Sequence, residues 1–145
     1  KMSKSLGNVV RPLDMKTRYG MDAFRYYLLR EMAFGQDAVF SEEALVTRVN
    51  ADLANGFGNL ASRVLAMQQR YFAGQVQPLA PAPATEDRAL RAAFADARRE
   101  LEGHVEVLAF HRALEALWQA IGQANQYVQS TAPFSLAKDP ARRGR

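Results

Sequence analysis

Three stretches of this chain carry apolar residues in alternating steps of three and four, and that spacing decides the fold class. From about Glu42 to about Phe72 the series is Leu53, Phe57, Leu60, Val64, Met67 and Tyr71. A second series, Leu90, Phe94, Ala97 and Leu101, follows Thr85 and closes at Gly103. A third runs from about His104 to Ser130 through Val107, Phe110, Leu114, Leu117, Ile121, Ala124 and Val128. Residues spaced in this way line one helix face, and long helices with matching stripes bury them by packing against one another. The chain is therefore expected to be mainly α, an antiparallel helix bundle. Four helices are the usual stable number and three long ones are visible, so the bundle reads as lacking its last helix.

Local signals divide the chain further. Ser41 before Glu42 and Glu43 is an N-cap with an acidic first turn, and Thr85 before Glu86 and Asp87 repeats the pattern. Gly56 and Gly58 fall inside the first long helix, where each costs about 1 kcal/mol relative to alanine. They predict a kink there or the close approach of another element. GQVQPLAPAPAT (74–85) is a proline-rich connector without periodicity. Upstream, Asp14 to Tyr19 makes a helical turn or two that Gly20 stops. MDAFRYYLLREM (21–32) is a compact helix with Met21, Phe24, Leu28 and Met32 on one side, and Ala38–Phe40 is a candidate short strand. The expected organisation is a small region over 1–41, the helical domain over 42–135 and a loose basic tail over 136–145.

Composition narrows the function classes. The absence of cysteine excludes disulfides and thiolate metal sites, and two isolated histidines, His104 and His111, do not make a metal site. No apolar run is long enough to span a membrane, and none follows the N-terminal charges as a signal peptide would require. A cytoplasmic protein without a membrane partner is expected. Basic residues number 19 against 15 acidic ones, and fifteen of the basic residues are arginine. Arginine forks onto phosphates and stacks on bases, so the +4 balance suits a nucleic-acid partner without demanding one.

The first ten residues, KMSKSLGNVV, set the chemistry. Lys1 and Lys4 offer three donors each to phosphate oxygens, Ser3 and Ser5 add hydroxyls, and Gly7-Asn8 permits a tight turn. Such a loop clamps a triphosphate only if another surface holds the nucleotide from the far side. Nothing precedes Lys1 to do so, and no initiator methionine stands there. The loop thus reads as the cut end of a larger active site.

KMSKS resembles, letter for letter, the second signature of class I aminoacyl-tRNA synthetases. The continuation KMSKSLGNVVRPLDMKTRYGMDAFRYYLLRE is similar to the passage by which that class runs from its signature loop into a stem-contact region. RYYLLREMAFGQDAVFS and RVNADLANGFGNLASR resemble the methionyl-tRNA synthetase family more selectively. The similarity is dense over about 1–72 and resumes with ANQYVQSTAPFSLAKDP at 124–140.

That resemblance implies roles. Lys4 would contact ATP phosphates as the catalytic lysine, with Lys1, Met2, Ser3 and Ser5 completing the ATP-binding loop. Asn59 and Arg63, one helical turn apart in GNLASRVL, would read the CAU anticodon of tRNA(Met), and Arg70 lies on the same strip. The family stacks an anticodon base on a tryptophan after a proline. Here Pro133 is followed by Phe134, which keeps a π-face but loses area and the indole donor. Trp118 is expected to pack in the bundle, and Tyr27 in a core. Arg25 and Arg30 are candidate contacts to the tRNA backbone. ATP and methionine would be substrates of the longer enzyme, and any zinc would lie outside this segment. DNA is not an expected partner. Two other readings share these features: a stand-alone helical RNA-binding module, and a fragment of a valyl- or isoleucyl-type class I synthetase.

Overall fold

The computed structural model describes residues 9–76, 78 and 82–137. Lys1, Met2, Ser3, Lys4 and Ser5, and the expected tail beyond residue 137, lie outside the described residues. Helices α1 (Pro12–Tyr19) and α2 (Met21–Glu31) are separated by Gly20, whose φ of 83° is the left-handed backbone that glycine tolerates. They fold against α3 (Glu42–Arg48) around Met15, Phe24, Tyr27 and Leu45, all nearly solvent-free. Phe40 lays its ring edge-on to Phe24 and Tyr27, at centroid distances of 6.0 and 5.7 Å. Residues 38–40 are extended for that reason and not through a ladder. The expected strand is absent, as is any other among the described residues.

Ser41 caps α3 as expected, its hydroxyl accepting the Ala44 N–H at 3.2 Å. The helix then continues to Phe72, but Val49–Gly58 winds as a π segment before α4 (Asn59–Phe72) resumes ordinary geometry. The Asn59 N–H reaches the Ala54 carbonyl, five residues back. The two glycines explain both the winding and its neighbour. A Cβ at Gly58 would stand 3.0 Å from the Leu53 carbonyl oxygen, and one at Gly56 would stand 3.3 Å from the Ala51 oxygen and 3.5 Å from the Trp118 ring. Trp118 itself is half-buried and meets Tyr26 edge-on at 6.0 Å, which is the packing role expected of it.

Helix α5 (Thr85–Glu106) starts one residue earlier in its capping than expected. Ala84 is the cap position, and the Asp87 carboxylate accepts the Ala84 N–H at 2.9 Å, while Thr85 is already helical. Gly103 does not close this helix. Its backbone stays helical, and the turn comes at Val107–Ala109, where Leu108 is left-handed at φ 58° and the Ala109 N–H returns to the His104 carbonyl. Val107 is consequently a turn residue, 71% exposed, and not part of a stripe. Helix α6 (Phe110–Thr131) pairs with α5 through alanines: Ala97 on one side, Ala113, Ala116 and Ala120 on the other are buried, with Leu114 and Leu117 only half so. Small side chains let the two backbones approach closely. The other faces of α6 rest on α2 and the π segment. No residue of α4 is fully buried, and Phe57 and Val64 of the long stripe stand exposed. Among the described residues no helix is long and apolar enough to cross a membrane.

Candidate functional site

Directly after the π segment, α4 opens with Asn59, exposed, and presents Arg63 one turn later. The Arg63 Nε donates to the Asn59 carbonyl at 3.3 Å, and its Nη2 donates to Asn125 Oδ1 at 2.5 Å. Asn125 Nδ2 donates in turn to the carbonyls of Gly56 and Ile121, each at 3.2 Å. One carboxamide on α6 therefore joins the arginine to the π segment.

Phe134 arrives from the opposite direction. Ala132, at φ 43°, reverses the chain after α6, and Pro133 starts the short helix α7 (Pro133–Leu136). Phe134 remains 47% exposed. With Arg63, Met67, Arg70, Tyr71 and Val128 it lines an open cavity of about 280 Å³. The Arg70 guanidinium lies 5.7 Å from the Tyr71 ring centroid, a cation–π contact. Two of the three expected anticodon residues thus meet in one cavity, while Asn59 stands one turn outside it. Aromatic faces, a thioether and two guanidinium groups around an open groove suit an unstacked base flanked by phosphates.

A second polar cluster ties the N-terminal region to the long helix. Asp52, its side chain 13% exposed, accepts the Tyr26 hydroxyl and lies 3.3 Å from Arg30 Nε and 3.6 Å from Arg48 Nη1. Arg48 also pairs with Glu31. Burial first, and the Asp52 carboxylate second, push the Tyr26 phenol well above its ordinary value. Arg30 is turned inward onto this cluster, whereas Arg25 stands in solvent beside Asp22. Of the two candidate backbone contacts, only Arg25 presents its charge outward. A third link holds α5 to α6: the Tyr127 hydroxyl donates to Asp87 at 2.5 Å. That bond, ahead of burial, pushes Tyr127 up to about 12, and together with the Ala84 N–H it draws Asp87 below the usual carboxylate value.

Sequence reasoning missed Asn125, Tyr71 and Met67. The last two sit in an apolar stripe and read as core. Asn125 carried a signal, because it stands four residues after Ile121, on the face that Ile121 buries. Among the described residues no cluster of ligating side chains could hold a metal.

The family model described as tRNA synthetases class I (M) matches residues 1–65. A helical bundle carrying this polar and aromatic cavity, joined to that sequence, is of the class I aminoacyl-tRNA synthetase kind. The methionine–tRNA ligase of Bacillus subtilis (strain 168) is 47% identical over 142 residues, covering 98% of this chain and 21% of the relative. That of Caldanaerobacter subterraneus is 45% identical over 148 residues, covering 100% of this chain and 23% of the relative. Among solved structures, the Mycobacterium tuberculosis methionyl-tRNA synthetase bound by methionyl-adenylate superposes with a TM-score of 0.90 at 45% identity, covering 97% of this chain and 28% of that one. The chain belongs to the methionyl-tRNA synthetase family. It spans about a fifth of the length of the curated relatives it matches.

Proposed function

We propose that this chain is the signature-loop, stem-contact and anticodon-binding portion of a longer cytoplasmic methionine–tRNA ligase. Residues 1–41 carry the loop and the stem-contact region, and 42–135 form the helical anticodon-binding domain. The whole enzyme joins methionine to ATP, releasing pyrophosphate and forming methionyl-adenylate. A hydroxyl of the terminal adenosine of tRNA(Met) then takes the methionyl group and releases AMP. Lys4 stabilises charge that grows on the ATP phosphates as pyrophosphate leaves, with Lys1, Met2, Ser3 and Ser5 shaping the loop. The similar Mycobacterium tuberculosis enzyme, solved bound by methionyl-adenylate, supports the adenylate step of this reaction. Asn59 and Arg63 contact the base edges of the CAU anticodon, and Phe134 supplies a stacking face.

The observation that carries this reading is the cavity that Arg63 and Phe134, far apart in the sequence, line together. In the full-length protein, a CAU stem-loop should bind more tightly than a GAC stem-loop at moderate salt. Arg63→Ala should reduce CAU affinity about tenfold or more and erase the preference. Equal affinity of the unaltered protein for the two stem-loops would overturn the assignment. The isolated chain should show no methionine-dependent ATP–pyrophosphate exchange, and exchange by the chain alone would contradict this division of labour.

A further inference from the structure

We infer that Asn125 is the positioning residue that aims Arg63 into the cavity, an inference that rests on Arg63 being an anticodon contact. Its carboxamide is oriented without ambiguity. Nδ2 faces two carbonyl oxygens, Gly56 and Ile121, which only a donor can serve, so Oδ1 is left for the guanidinium. Arg63 commits Nε to the Asn59 carbonyl and one Nη2 hydrogen to Asn125, which leaves three of its five N–H donors uncommitted among the described residues. A long exposed arginine ordinarily samples many rotamers, and two fixed bonds on one edge of a planar fork select the orientation of the other edge.

The Gly56 carbonyl matters as much as the arginine. It belongs to the π segment, whose winding places that oxygen against α6. Asn125 therefore registers two things at once: the path of the long helix and the direction of the guanidinium at its next turn. The residue itself touches no ligand; it acts through Arg63.

The test has two arms in the full-length protein. A crystal structure of Asn125→Ala, without RNA, should show the Arg63 guanidinium moved from its place beside α6; the same rotamer retained would overturn the inference whatever the RNA does. In the binding arm, Asn125→Ala should weaken the CAU stem-loop about tenfold in the native background and less than about twofold when Arg63 is already alanine. Equal losses in both backgrounds would make Asn125 a structural residue only. If Arg63→Ala alone leaves CAU binding unchanged, the anticodon reading fails, while the crystallographic arm still decides whether Asn125 aims the side chain. Asn125→Ser, polar but too short to reach the guanidinium, replaces the alanine variant in both arms if that variant does not fold.

Discussion

The Tyr26 hydroxyl and the Asp52 carboxylate meet at 2.5 Å, fastening α2 to the first turns of the π segment. The bond sits beside Trp118, which touches Tyr26 edge-on and lies against Gly56. The N-terminal region and the helical domain are therefore joined by a polar bond flanked by an aromatic contact. Tyr26→Phe keeps the ring packing and removes only the hydrogen bond. It should lower stability by about 1–2 kcal/mol, read from the denaturant midpoint, since a carboxylate acceptor loses its partner. A change under a few tenths of a kcal/mol would mean that Arg30 and Arg48 already satisfy Asp52.

Gly58 and Gly103 should respond to alanine with opposite signs. Gly103 lies inside α5 with nothing within 4 Å of its would-be Cβ, so Gly103→Ala should stabilise by about 0.5–1 kcal/mol. At Gly58 the added methyl meets the Leu53 carbonyl at 3.0 Å. Gly58→Ala should therefore destabilise, by about 1–2 kcal/mol, despite the better helix propensity. Thermal or denaturant unfolding of the pair settles it, and stabilisation by both would show that the π winding does not need the glycine.

The Tyr127–Asp87 bond makes stability depend on pH at both ends of the scale. Asp87 binds its proton less readily folded than unfolded, so its contribution is complete above the ordinary carboxylate value and is lost as the pH falls through the lowered one. Tyr127 behaves oppositely: its contribution is complete below about 10, the ordinary phenol value, and is lost as the pH rises through about 12. Tyr127→Phe should flatten the stability profile in both windows. A profile unchanged on the acid side would assign the acid dependence to other carboxylates.

Phe134 should behave as a stacking platform. Phe134→Ala is expected to weaken CAU stem-loop binding by about 1–3 kcal/mol, and Phe134→Trp to strengthen it through the larger π-face. Fluorescence anisotropy with labelled stem-loops reads both variants. Tryptophan binding more weakly than phenylalanine would indicate a cavity shaped for the smaller ring.

Much of this architecture was legible in the residues. The stripes announced the long helices, Ser41 the start of α3, and Gly56 with Gly58 a kink or a close neighbour, where the structure has both the π winding and Trp118. What escaped did so for physical reasons. Gly103 reads as a stop only if its backbone turns left-handed, and the chain instead turns at Leu108, a residue without such a signature. Phe40 suggested a strand because an extended segment that buries one ring has the same local pattern as a ladder. The leucine stripe of α6 drew attention from its alanines, of which Ala113, Ala116 and Ala120 are the more deeply buried. In the candidate site, Asn59, Arg63 and Phe134 came from resemblance, whereas Asn125 became visible only once α6 was laid beside the π segment.

The π segment has one more consequence. A helix aims its side chains by accumulated rotation, and ten residues of wider winding reset that angle for everything downstream. Asn59 and Arg63 follow immediately, so their azimuth is decided upstream of themselves. A one-residue deletion within 49–58 that restored ordinary winding would leave Asn59, Arg63 and Phe134 in place in the sequence and turn Arg63 away from both Asn125 and Phe134. The lining of this cavity is thus adjustable by angle as well as by the identity of its residues.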